Sequence, residues 1–159
     1  VSPPFHVVLV EPLIPQNTGN VGRLCVATGA RLHLVRPLGF DISDKAVRRA
    51  GLDYWKNVDL VVHDDTEALG RAVDLDRAWL FSARATRSYS SATFQPGDVL
   101  VFGKETTGLG ELGTVRPDRL LTVPFTGPVR SLNLSTTVGI VVYEGLRQTR
   151  PDLMPPAVC

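Results

Sequence analysis

Six short apolar runs recur along the chain: Val7-Val-Leu-Val10, Leu32-His-Leu-Val35, Val58-Asp-Leu-Val-Val62, Ala78-Trp-Leu-Phe81, Val99-Leu-Val-Phe102 and Leu120-Leu-Thr-Val123. Each is rich in branched or aromatic residues and is bounded by Gly, Pro, Asp or Arg. A strand with one wet face alternates apolar and polar residues. A continuous apolar run of this length belongs to a strand covered on both faces, which is the usual state of a parallel sheet. Parallel strands need crossover connections, and the segments between the runs read as helices. Asn17 to Thr28 carries Val21, Leu24 and Cys25 at helical spacing and stops at Gly29. Ser43 to Ala50 stops at Gly51, Asp65 to Val73 buries Ala68, Leu69, Ala72 and Val73 on one face, and a long segment runs from about Leu132 to Thr149. The expectation is an α/β domain: a mostly parallel six-stranded sheet with helices on both faces.

The chain has 159 residues, of which 43% are apolar, enough for one domain with its own core spanning 1–159 and no separate RNA-binding domain. The formal charge of +1 excludes a strongly basic arm or an acidic tail as the working part. No apolar run approaches the roughly 20 residues of a membrane span. Cys25 and Cys159 are far apart and form no CxxC, so neither a disulfide framework nor a zinc site is expected, and a reducing cytoplasm fits best. His6, His33 and His63 lie in or at the ends of strand-like runs and read as packed or edge histidines, with no metal expected.

Charge is nevertheless uneven. Residues 31–56 hold Arg31, Arg36, Lys45, Arg48, Arg49 and Lys56 against three Asp, whereas residues 57–80 hold two Arg against six acidic residues. Such a run is usually a solvated face, but it can also attract phosphates. The last helix is apolar around most of its circumference, through Val138, Ile140, Val141, Val142, Tyr143 and Leu146. A helix of that kind needs cover on more than one side. A second copy of the chain is the expected cover, with Gly139 and Gly145 allowing close approach.

Ligands of open α/β sheets bind beyond the carboxyl ends of the strands. Three Gly/Pro-rich loops stand there: Glu11 to Asn20, Gly103 to Gly110 and Pro124 to Asn133. They do not form a GxGxxG turn or a P-loop, and no Ser or Cys sits beside a plausible His base. An unusual loop arrangement for a nucleotide-like ligand is what remains.

The stretches Asn17-Thr-Gly-Asn-Val-Gly-Arg-Leu-Cys25, Arg48-Arg-Ala-Gly-Leu-Asp-Tyr-Trp55, Val101-Phe-Gly-Lys-Glu-Thr106 and Arg130-Ser-Leu-Asn-Leu-Ser135, with Gly39-Phe40, Asp44-Lys45 and Gly108-Leu109, resemble the SPOUT superfamily of RNA methyltransferases. Within it they are most similar to the TrmL-type branch, which methylates the ribose of the wobble nucleotide of tRNA. The resemblance covers about Val7 to Gln148. It implies a C-terminal trefoil knot, a site for S-adenosyl-L-methionine (released as S-adenosyl-L-homocysteine) built by the knot loops, and a homodimer with the active site at the subunit interface. It also implies the tRNA anticodon stem-loop as substrate, with cytidine or a modified uridine at position 34.

Carried over by position, the cofactor contacts fall on Phe81, Gly103, Leu121, Val123, Ser131 and Leu132. The catalytic group falls on Arg23, with Asn17, Glu105, Ser131 and Asn133 as polar partners. A guanidinium has no acceptor, so Arg23 is expected to hold a phosphate and stabilise a developing alkoxide. Glu105 has the alternative of being an exposed loop acid, and Asn133 that of being a helix N-cap. The tRNA grip is expected from Arg48, Arg49, Lys56 and Arg31. Lys104 stands where the resemblance leads one to expect Pro, Thr107 where Arg is common, and Gly110 where Pro is common. The competing readings are a ribosomal RNA ribose methyltransferase of the same superfamily and a non-catalytic nucleotide- or RNA-binding module.

Overall fold

The computed structural model describes residues 2–43 and 45–154. Asp44 and Cys159 lie outside them. The elements are β1 (Phe5–Val10), α1 (Pro15–Thr28), β2 (Arg31–Val35), α2 (Lys45–Gly51), β3 (Leu60–His63), α3 (Thr66–Ala72), β4 (Ala78–Phe81), β5 (Asp98–Phe102), α4 (Leu112–Val115), β6 (Leu120–Leu121) and α5 (Leu134–Thr149), joined in places by short 3₁₀ turns. The strands form one six-stranded sheet in the order β3-β2-β1-β5-β4-β6. Every pairing is parallel, so the sheet is wholly rather than mostly parallel.

The period of two along β1 sorts its residues onto the two faces. Val7 and Leu9 join the larger core, where Val21 and Cys25 of α1 and Val138, Val141, Val142 and Leu146 of α5 pack on the sheet. Val8 and Val10 join the smaller core on the other face, with Leu69 of α3. Helices therefore cover both faces, as the continuous apolar runs require.

Local differences from the sequence reading have physical causes. β3 begins at Leu60 rather than Val58, because Val58 closes a 3₁₀ turn on the Trp55 carbonyl. β6 ends at Leu121, because Thr122 turns to pair with the segment after β4, donating to the Arg87 carbonyl and accepting from the Tyr89 amide. The last helix starts at Leu134 with Asn133 as its N-cap. Its apolar circumference is mostly satisfied within the chain. Val138, Val141, Val142 and Leu146 are buried, and Gly145 makes room for the Phe5 ring, which a Cβ there would meet at 2.7 Å. Gly145 thus serves internal packing rather than a partner. Gly139, with nothing within 4 Å of an added Cβ, and Tyr143, 47% exposed, remain on the outer side.

Candidate active site

Because all strands run the same way, the loops after β4, β5 and β6 emerge at one edge of the sheet. There they meet the N-termini of α1 and α5 around a cavity of about 610 Å³, a size suited to a small-molecule ligand. Phe81, Phe102 and Val123 contribute apolar lining, and the Phe81 and Phe102 rings stack at 4.8 Å. Gly103 turns the chain out of β5. A Cβ on it would lie 2.0 Å from the carbonyl carbon of Gly108, so no other residue fits. The loop folds back on itself through two hydrogen bonds, Lys104 N–H to Gly108 O at 3.1 Å and Gly108 N–H to Lys104 O at 2.9 Å. Gly108 takes a left-handed φ of 69°.

The positions that depart from the resemblance are accommodated locally. The Lys104 ammonium lies 3.4 Å from the Glu11 carboxylate, tying this loop to the turn after β1. Gly110 has φ 59°, which proline's ring forbids, so the loop takes a path of its own there. Thr107 is exposed on the cavity wall.

The start of α1 has Ile14 as its cap residue, which offers no side-chain cap. Glu105 supplies one from a distant part of the chain. Its carboxylate accepts from the Leu13 amide at 2.8 Å, the Ile14 amide at 3.1 Å and the Asn17 side-chain amide at 3.3 Å. A carboxylate at a helix N-terminus also opposes the positive end of the helix dipole. Asn17, 5% exposed, accepts in turn from Asn133 Nδ2 at 3.0 Å. The Asn133 Oδ1 accepts from the Thr136 amide and the Ser135 hydroxyl. Glu105, Asn17 and Asn133 therefore form one hydrogen-bonded chain that joins the β5 loop, the start of α1 and the start of α5. Asn133 is both helix cap and site residue.

Of the residues expected to contact a cofactor, Phe81, Gly103, Val123, Ser131 and Leu132 line the cavity. Leu121 does not: it is fully buried in β6 beneath it. Arg23 also lies outside this cavity. It is exposed on α1 with its guanidinium 5.8 Å from the centre of the Tyr54 ring. Arg48 and Arg49 on α2 and Lys56 on the following turn are exposed and, among the described residues, carry no ion pair. Arg31 stands apart. It begins β2, at the end of the sheet away from the cavity, and is held by Asp59 at 2.8 Å.

The sequence reading missed the loop after β4, which brings Arg84 to the cavity, and passed over Arg130 of the β6 loop. The signal that marks the other loops, polar residues just past a strand's carboxyl end, also marks Arg84 three residues beyond β4. The three histidines are indeed packed, but on one another. His6 Nδ1 lies 2.9 Å from His33 Nε2, and His33 Nδ1 lies 2.9 Å from His63 Nε2. Burial, with help from the neighbouring rings, pushes His33 down to about 3.

Comparison with known proteins agrees with this architecture. The profile of the SpoU rRNA Methylase family matches residues 4–143. A tRNA (cytidine(34)-2'-O)-methyltransferase of Burkholderia pseudomallei (strain 1106a) is 49% identical over 148 residues, covering 91% of this chain and 95% of the relative. A solved structure described as giving insights into the 2-OH methylation of C/U34 on tRNA superposes with a TM-score of 0.84 at 48% identity, over 91% of this chain and 95% of the other. At 22% identity, the SpoU methyltransferase AviRb from Streptomyces viridochromogenes, in complex with the cofactor AdoMet, shares the fold with a TM-score of 0.81, over 93% of this chain and 59% of its own. With its cavity at the carboxyl ends of a parallel sheet and the profile match running from β1 into α5, the chain belongs to the SpoU rRNA Methylase family.

Proposed function

We propose that this protein is an enzyme that transfers a methyl group from S-adenosyl-L-methionine to the 2′-hydroxyl of the nucleotide at position 34 of tRNA, a cytidine or a modified uridine. The observation that carries this reading is the Glu105–Asn17–Asn133 chain, which gathers three loops around one cavity. The Burkholderia pseudomallei relative is named a tRNA (cytidine(34)-2'-O)-methyltransferase, and one of the solved structures that superpose on this chain is described as concerning the 2-OH methylation of C/U34 on tRNA. A family neighbour is described in complex with AdoMet.

The residues present suit that donor. Gly103 lets backbone approach closely where a side chain would intrude, Gly108 supplies the left-handed turn of the same loop, Phe81 and Val123 offer apolar surface to an adenine ring, and Ser131 and Leu132 close the other side. When bound, the donor supplies an electrophilic methyl group on a cationic sulfur. This chain's part is to hold the ribose in line with it, since orientation alone can lower a barrier by roughly 7–11 kcal/mol in favourable cases. Asn133 Nδ2 and the α5 N-terminus provide donors beside the cavity. Glu105 spends its carboxylate on Leu13, Ile14 and Asn17. Its part is to position α1 rather than to take a proton.

Arg23 has no place in its own cavity, so we assign it to the cavity of a second copy. The Arg23 guanidinium would hold a phosphate and stabilise the alkoxide that develops at the ribose oxygen. A homodimer through the outer side of α5, with Tyr143 and Gly139, fits that assignment. The trefoil knot and a cytoplasmic location belong to the same reading. The tRNA would lie over Arg48, Arg49 and Lys56. No helix among the described residues is long and apolar enough to cross a membrane.

The test is incubation with labelled S-adenosyl-L-methionine and bulk tRNA or ribosomal RNA, followed by location of the modified nucleotide. Label at the 2′-oxygen of position 34 is expected. Label in ribosomal RNA alone, or in neither, would discard the reading.

A further inference from the structure

Four charged side chains line the cavity: Arg84, Lys104, Glu105 and Arg130. Two of them are committed inward. Lys104 is paired with Glu11, and Glu105 caps the start of α1. Arg84 and Arg130 are exposed, and among the described residues neither guanidinium has an ion pair or a hydrogen bond. Half of the other twelve arginines behave differently. Arg31, Arg36, Arg77, Arg116, Arg147 and Arg150 each have a carboxylate within 3.3 Å. The cavity rim thus carries two uncompensated positive charges from two loops, one after β4 and one after β6.

A methyl donor with one carboxylate against a sulfonium and an ammonium has a single anionic group to offer, and no electrostatic use for two spare guanidinium groups. A polyanion does. The planar fork of arginine matches phosphate oxygens in a bidentate way, and exposed side chains at a rim can reach a backbone that stays in solvent while one sugar enters. Resting on the reading above, we infer that Arg84 and Arg130 form a phosphate clamp that seats the RNA backbone around the nucleotide being methylated. They are positioning residues that set where the ribose falls, separate from the surface of α2 carrying Arg48 and Arg49. Contacts to phosphate position without reading sequence. The clamp therefore registers the strand in the cavity and leaves choice of tRNA to other surfaces.

The experiment compares wild type with Arg84→Gln, Arg130→Gln, the double variant and the corresponding Lys variants. Arg71→Gln, on α3 of the opposite sheet face, is the control. tRNA affinity is read by fluorescence anisotropy over a salt series, and donor affinity by calorimetry with S-adenosyl-L-methionine without RNA. Each Gln variant should weaken tRNA binding about tenfold and lower the slope of log affinity against log salt by about 1. The Lys variants should keep the slope while losing part of the affinity. Donor affinity should not move, and KM for tRNA should rise more than kcat falls. Unchanged tRNA affinity and slope in the double variant would overturn the clamp. So would a drop in donor affinity without RNA, which would assign the pair to the donor's carboxylate. Wild-type protein that bound no tRNA would remove the parent reading as well, whereas normal wild-type binding with indifferent variants removes the clamp alone.

Discussion

The carboxylate of Glu105 accepts a hydrogen bond from the backbone amide of Leu13 at 2.8 Å, across 92 positions of sequence. That contact and its partners at Ile14 and Asn17 make the β5 loop the cap of the first helix, whose own cap residue supplies nothing.

Replacing Glu105 by Ala should leave amides of this helix start unsatisfied, lowering stability by about 1–3 kcal/mol. Catalysis should fall much further, because Asn17 loses its anchor. Glu105→Gln, which keeps an acceptor but not the charge, should recover most of the stability. Urea melts and methylation rates, measured side by side, check both halves.

Asn133→Ala should lose activity while retaining the fold. The cost in stability is about 1 kcal/mol for the lost cap. The missing bond to Asn17 frees the start of α1 from the start of α5. Full activity in a folded variant would remove Asn133 from the site.

Gly103→Ala forces a methyl carbon to within 2.0 Å of the Gly108 carbonyl carbon. Backbone rather than a flexible side chain must yield, so the whole turn must open. Donor binding should disappear in calorimetry, even where circular dichroism shows the sheet intact.

Arg23→Ala and Asn133→Ala, each inactive alone, should complement one another when co-expressed. If Arg23 serves the cavity of its partner, a mixed dimer has one site carrying both defects and one carrying neither. If Arg23 serves its own cavity, each site of the mixed dimer has one defect and no activity returns.

The histidine ladder predicts acid sensitivity of the sheet. Two ring–ring contacts each need one proton between their nitrogens, and the outer nitrogens, His6 Nε2 and His63 Nδ1, can each carry one more. The ladder thus accepts a single proton beyond neutrality before two N–H groups face each other. Burial lowers the affinity of all three rings for protons, and Arg31 and Arg77 lower that of His6 further while Asp59 opposes them. The unfolded chain therefore binds more protons than the folded one below pH 6.5. Stability from the ladder is fully present above pH 6.5 and is lost as pH falls toward about 3. His33 alone should account for a loss of about 2–3 kcal/mol between roughly pH 6.5 and 4.5. Denaturant melts over that range should show it, and His33→Leu should flatten the profile.

The strands were legible because burial on both faces leaves a mark on every residue of a run. The helices between them were legible from spacing and stops. Asn133 as a cap was legible too, since capping is local. Glu105 was ambiguous for the opposite reason: the amides it caps lie about ninety positions away, and no local pattern announces them. Arg31 looked like part of a basic run. Only the β2–β3 register, with Leu32 opposite Leu60, sets Arg31 beside Asp59 and neutralises it. The same parallel registers turn three separately packed histidines into a continuous ladder.

By itself the sequence determined the alternation of strand and helix and the chemical character of each loop, because propensity, burial and capping act over a few residues at a time. Tertiary structure alone decided which charges are spent, that Arg84 and Arg130 line one cavity, and that Arg23 lies outside it. Those depend on which distant segments the parallel sheet brings to one edge, and a Coulombic or hydrogen-bonded pair exists only once that edge has formed.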